Sequence, residues 1–144
     1  MTLNEINFKI DKNDFVGIFG KSGSGKTTLI DILTGFLAPT SGKIISYNGN
    51  DIQQDIQSWQ NEISYIGQTS YLLDSTIEEN ITFNFNQEKI DLIKLEKILK
   101  TSELSDFIDS LKNGIKSKIG SKGVKISGGQ RQRILIARAL FKNS

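Results

Sequence analysis

Gly20-Lys21-Ser22-Gly23-Ser24-Gly25-Lys26-Thr27 is a complete G-x-x-x-x-G-K-[ST] string, and its flanks supply the context that such a string needs. Upstream, Phe15-Val16-Gly17-Ile18-Phe19 is a short apolar run of strand composition. Downstream, Leu29, Ile32, Leu33 and Phe36 fall at helical spacing. Strand, Gly-rich loop and helix in that order predict a phosphate-binding loop. Bulky side chains would keep backbone N–H groups away from phosphate oxygens, so glycines suit the loop. The helix start adds unpaired N–H groups and the positive end of its dipole. Lys26 is expected to reach the β- and γ-phosphates, and the Thr27 hydroxyl to ligate Mg²⁺.

About a hundred residues further on, Ile126 to Gln130 reads ISGGQ, followed by RQRILIARALF. There Ile134, Leu135, Arg138 and Phe141 fit one long amphipathic helix. The phosphate loop, Tyr65-Ile66-Gly67-Gln68, Thr76-Ile77-Glu78-Glu79-Asn80-Ile81 and the stretch from Gly120 to Leu140 together resemble the nucleotide-binding domain of ATP-binding cassette (ABC) transporters. The resemblance covers nearly the whole chain, in the family's order and spacing.

That resemblance implies an α/β P-loop NTPase core with an inserted α-helical subdomain, here as an incomplete fold. It assigns residues 1–68 to the core, 69–128 to the helical subdomain and 129–144 to the helix leaving the signature. Gly20, Lys21, Ser22, Gly23, Ser24, Gly25, Lys26, Thr27 and Thr28 match the Walker A loop and would hold ATP. Gln68 matches the Q-loop glutamine, which would contact Mg²⁺ or the attacking water and sense a transmembrane partner. Ser127, Gly128, Gly129 and Gln130 match the signature, which in this family contacts the γ-phosphate held by a second nucleotide-binding domain in a head-to-tail dimer. A serine hydroxyl and glycine N–H groups at a helix start are suited to an anion.

Residues Thr76 to Ile81 look like the exporter branch, and Gly120 to Gly123 matches the short loop that exporters place before the signature. The run from Trp59 to Thr76 is similar to flippases for lipid-linked sugars and polysaccharides, or else its Trp and two Tyr simply pack. Three positions depart from the family pattern. Ile126 stands for Leu, a tolerable apolar change. Gly67 stands for Pro before Gln68, which loosens that loop. Ser121 stands where Glu is common.

The family continues beyond this point into an apolar strand ending in Asp and Glu and on to a switch histidine, and this chain contains 0 His. The sequence therefore reads as a piece of a larger ATPase that holds half a site and turns ATP over poorly alone. The family's adenine-stacking aromatic residue is expected further before the phosphate loop than this chain extends, and Phe8 lies on the wrong strand for it. The Phe15–Phe19 run is expected to present an unpaired apolar edge and to limit solubility.

With 144 residues, 37% hydrophobic, one core and one domain are expected. A net charge of +2 gives no reason to expect nucleic acid. With 0 Cys and 0 His, disulfides and zinc drop out. No apolar stretch reaches membrane-span length and no signal peptide leads the chain. The expected place is the cytoplasmic face of a membrane, through a transmembrane domain or partner. Ile6 to Ile10 alternates with period two, and Lys43 to Tyr47 reads as another strand between the turns at Pro39–Gly42 and Asn48-Gly49. Helices are expected over Ile90–Leu99 and around Phe107, Ile108 and Leu111. The three arginines, Arg131, Arg133 and Arg138, read as a solvated face of the last helix.

The leading expectation is ATP binding and, in the complete protein, hydrolysis coupled to export. The alternatives are a soluble ABC-type ATPase of repair, translation or cluster assembly, and a non-catalytic nucleotide-binding fragment. A membrane-embedded sequence upstream would exclude the first alternative, and hydrolysis by a completed chain the second.

Overall fold

Helix α1 (Lys26–Leu33) begins where the Gly-rich loop ends and stops at a Schellman turn. Gly35, at φ 74°, lets its own N–H reach Ile32 O at 3.1 Å and the Phe36 N–H reach Asp31 O at 2.8 Å. A side chain at Gly35 would also collide with Ile56 Cδ1. Helix α2 (Ile56–Asn61) starts on Asp55, whose carboxylate accepts from the Ser58 N–H. Its Trp59 donates Nε1–H to Leu33 O at 2.9 Å, and Gln60 donates to Gly35 O at 3.0 Å. Carbonyls that α1 leaves unpaired are thus satisfied by α2. Half-buried Trp59 is fixed by this bond, which gives it a packing role.

The computed structural model of the chain describes residues 3–67, 71–86, 89–120 and 123–142. Contacts divide it into two units, Met1–Ile63 and Ser64–Ser144, where length alone suggested one domain. The elements above belong to the first unit.

The strands expected over 6–10, 15–19 and 43–47 do not form among the described residues. That part of the chain carries only an isolated bridge, Ile45 with Asp51. A strand forms only when a neighbour accepts and donates its ladder bonds; among the described residues, 6–10 and 15–19 have none, and 43–47 gains only the Ser46 N–H to Asn50 O and Ile52 N–H to Ile44 O bonds around that bridge. Ile6, Phe8, Ile10 and Val16 are about half exposed, and Phe15 and Phe19 fully so. The bare apolar surface expected of the Phe15–Phe19 run is therefore present, without a strand.

The second unit has a proper core. Strand β1 (Ser75–Thr76) pairs antiparallel with β2 (Lys118–Ile119), in the register Ser75 to Ile119 and Thr76 to Lys118. Helix α3 (Ile77–Thr82) opens on a capping box: Thr76 Oγ1 accepts from the Glu79 N–H at 3.1 Å, and Glu79 accepts from the Thr76 N–H at 2.9 Å. Asp91 caps α4 (Leu92–Thr101) through the Lys94 N–H, and α5 (Ser105–Asp109) follows. The long α6 (Gly128–Lys142) buries Ile134 and Ala137 against α3 and α4. Ile77, Ile81, Leu95, Ile98, Leu104, Ile108 and Ile119 complete this core. The helix after the signature thus belongs to the same body as the helical elements before it. No helix among the described residues is long and apolar enough to cross a membrane.

Candidate functional site

The residues from Gly20 to Thr28 form a tight turn that runs into the start of α1. Gly23 and Gly25 take left-handed φ values of 78° and 90°, a turn that side-chain-bearing residues resist. The Ser24 N–H closes it on Lys21 O at 3.2 Å. Gly25 occupies the N-cap position of α1 with no side chain to cap the helix, and no acidic residue stands in the first turn. The N–H groups of Lys26, Thr27 and Thr28 find no acceptor among the described residues. Lys26 folds back so that Nζ lies 2.9 Å from Gly20 O and 2.8 Å from Lys21 O. An ammonium held on the loop, together with unpaired N–H groups at the helix start, is chemistry for a polyphosphate anion.

Mg²⁺ finds less support. Thr27 is exposed at the start of α1, placed to give one oxygen. No group of three or more His, Cys, Asp and Glu able to hold a metal occurs among the described residues. Mg²⁺ in such sites draws its other ligands from phosphate and water, so a single protein hydroxyl is compatible with it. Gln68, and Ser121 of the pre-signature loop, lie outside the described residues.

The signature caps its own helix. The Ser127 N–H donates to Gln130 Oε1 at 2.8 Å, and Ser127 Oγ accepts from the Gln130 N–H at 3.2 Å. The Arg131 N–H follows onto Ser127 O at 2.9 Å. The Gln130 amide oxygen is therefore used inside the chain, while the Ser127 hydroxyl keeps its proton to donate. A Cβ added at Gly128 would meet nothing within 4 Å, and at Gly129 only Ser127 Oγ at 3.9 Å. Neither glycine has a positive φ. Intramolecular packing does not require glycine at either position, and the helix start stands open to an approaching group.

Two functional candidates escaped the sequence reading. Asn80 is fully buried; its Nδ2 donates to Leu73 O, Ser75 Oγ and Thr76 O at 2.9–3.0 Å, and its Oδ1 accepts from the Leu73 N–H at 2.8 Å. Arg138 departs from the expected solvated face. Its Nε donates to Asn80 O at 2.7 Å, Nη2 to Asn80 Oδ1 at 3.0 Å and Nη1 to Tyr71 O at 3.1 Å. The guanidinium also lies 4.7 Å from the Phe83 ring centre. Burial lowers its pKa from the ordinary arginine value. Arg133, by contrast, makes an exposed pair with Glu103 at 3.0 Å. A signal for Asn80 existed: a poor helix former on the same face as Ile77 and Ile81.

Elsewhere in the second unit, Phe83, Phe85, Ile90 and Phe141 line a cleft of about 410 Å³. Phe83 and Phe85 meet edge to face at 6.2 Å and are half exposed.

Against this geometry, the profile of the ABC transporter family matches residues 3–144. A Rickettsia bellii protein with a provisional name as an export ATP-binding/permease protein is 40% identical over 140 residues, covering 97% of this chain and 24% of the relative. An ATP-dependent lipid A-core flippase of Ralstonia nicotianae is 35% identical over 143 residues, covering 99% and 24%. Among solved structures, a bacterial Atm1-family ABC exporter with ATP bound is similar with a TM-score of 0.74 and 33% identity, over 85% of this chain and 21% of that one. The chain thus spans about a quarter of the length of these relatives.

Proposed function

The chain belongs to the ABC transporter family, and from that premise we propose that it is the ATP-binding part of an exporter, coupling MgATP binding and hydrolysis to movement of a substrate across a membrane. The observation that carries the reading is the loop at Gly20 to Thr28, which combines unpaired N–H groups at the start of α1 with the Lys26 ammonium folded onto the loop carbonyls. Gly20, Lys21, Ser22, Gly23, Ser24, Gly25, Lys26, Thr27 and Thr28 would wrap the phosphates, with Thr27 and Gln68 on the metal. When bound, Mg²⁺ neutralises charge developing on the transferred phosphoryl group. The chain's own share is to hold the phosphates in line and exclude alternative poses.

The open start of α6 supports the second half of the proposal. Ser127 and the N–H groups of Gly128 and Gly129 would meet the γ-phosphate on a second nucleotide-binding domain, giving a head-to-tail dimer. Gln130 contributes by holding Ser127 in place. We place the chain at the cytoplasmic face of the membrane, joined to a transmembrane domain, with residues 1–68 serving the nucleotide core, 69–128 the helical subdomain and 129–144 the helix leaving the signature. Relatives that span roughly four times this length support a fused membrane portion.

Titrating ATP against the wild type and Lys26→Ala tests the reading. The variant should lose most affinity with its melting temperature unchanged, because Lys26 contacts only loop carbonyls. Equal affinity of the two proteins would overturn the phosphate assignment.

A further inference from the structure

Helix α6 starts at the signature and is fastened to the rest of its unit by several polar contacts, among them the Ser64 hydroxyl, which donates to Ala139 O at 3.1 Å. Arg133 pairs with Glu103, but both side chains are exposed, and such pairs contribute little. Lys94 Nζ donates to Phe141 O at 2.6 Å and lies over the Phe141 ring, closing the far end of the helix. Arg138 is different in kind. Among the described residues none of its acceptors is a carboxylate: they are the carbonyl oxygens of Asn80 and Tyr71 and the Asn80 side-chain amide. One planar guanidinium therefore joins α6 to the last turn of α3 and to the segment preceding β1.

Asn80 is the other half of the connection. Its side chain gathers Leu73, Ser75 and Thr76, so the segment from Tyr71 to Thr76 is tied down by Arg138 at its start and by Asn80 along the rest. Leu72 packs against the core and Ser75 and Thr76 pair with β2, but Tyr71, Leu73 and Asp74 are exposed and bury no side chain there. A partly desolvated cation with no acidic partner among the described residues is a poor way to gain stability, since an apolar side chain of similar volume often serves as well. What the guanidinium offers, and an apolar chain does not, is a directed grip on two separate segments at once.

We infer that Arg138 and Asn80 are positioning residues that make the signature helix and the Tyr71–Thr76 segment move together. Tyr71 stands three positions after Gln68 in the sequence. A displacement of α6, when an anion docks on Ser127 to Gly129, is handed by Arg138 directly to the backbone that follows the Q-loop glutamine. The inference rests on the nucleotide reading above and adds a route by which the signature reports to that backbone.

Hydrogen exchange on the full-length exporter, with and without Mg²⁺ and a non-hydrolysable ATP analogue, tests it. In the wild type the analogue should slow exchange of the Leu73 to Thr76 amides by on the order of tenfold. In Arg138→Met that slowing should fall below about twofold, while the analogue still binds with wild-type affinity. Arg138→Lys keeps the charge but cannot span both carbonyls, so it should retain only a part of the slowing; it also decides the matter if Arg138→Met does not fold. A merely structural role predicts faster exchange in the variants with and without analogue, and an unchanged ratio between the two. That result, or a wild type in which the analogue leaves residues 73–76 untouched, overturns the inference. Failure of the wild type to bind the analogue at all would instead fell the nucleotide reading, and the inference with it.

Discussion

Ser127 and Gln130 satisfy each other's backbone: each N–H finds the other's side-chain oxygen, at 2.8 Å and 3.2 Å. The signature is therefore also the N-terminal cap of the longest helix in the chain. Ser127→Ala should cost about 1 kcal/mol of stability through the lost cap, and should weaken ATP-driven dimerisation beyond that. Melting curves read the first effect and sedimentation with ATP the second. A variant that melts earlier but dimerises normally would leave Ser127 a cap and nothing more.

Gly128 separates the two roles more sharply. A Cβ there touches nothing within 4 Å, so Gly128→Ala should fold at least as well as the wild type, given the poor helix propensity of glycine. Gly128→Asp should fold too, since a carboxylate suits the start of a helix. The same charge would oppose a docking phosphate, and ATP-dependent dimers should be lost while ATP binding by the monomer is kept. Dimers that form normally in Gly128→Asp would remove the signature from the interface.

Gly35 is held by conformation and space together. At φ 74° an alanine is strained, and its methyl would press on Ile56. Gly35→Ala should destabilise the first unit by about 1–3 kcal/mol, with the loss visible as a lower denaturant midpoint. Since Trp59 and Gln60 are anchored on the same turn, Trp59 fluorescence is the natural probe. An unchanged midpoint would show that α2 yields easily.

The parts that the sequence disclosed are those whose chemistry is local. A phosphate loop needs its glycines, lysine and hydroxyl within nine consecutive residues, so its string is complete in one stretch of sequence. The parts that it hid depend on partners far along the chain. Strand composition at Phe15–Phe19 could not say whether a ladder neighbour was at hand, and among the described residues none is. Arg138 and Asn80 lie 58 positions apart, so an arginine on a helix surface read as solvated until the fold brought an acceptor to it. Trp59 met Leu33 across 26 positions in the same way.

Phe15 and Phe19 bear on handling. Two fully exposed phenylalanines beside half-exposed Val16 and Ile18 make an apolar strip of the kind that drives association. The chain expressed alone should elute as aggregates, and Phe15→Lys with Phe19→Lys should shift it toward monomer without reducing ATP affinity. A monodisperse wild type would show that the strip is harmless.

Glu79 ties the stability of α3 to pH. Its carboxyl accepts from the Thr76 N–H and hydroxyl, and these bonds hold its pKa below the ordinary carboxylate value, with smaller help from Lys116 and Lys118. A folded-state pKa below the unfolded one means that the stabilisation is complete above the unfolded value and is lost as pH falls through the folded value. Acidification through and below the ordinary carboxylate range should therefore loosen the capping box. Glu79→Gln keeps a neutral acceptor for the Thr76 N–H and cannot titrate. It should be somewhat less stable than the wild type at neutral pH, and the two should converge as pH is lowered. Melting temperatures measured from neutral to acidic pH check this. A gap between the two proteins that stays constant across the range would mean that Glu79 acts through shape and not through its charge.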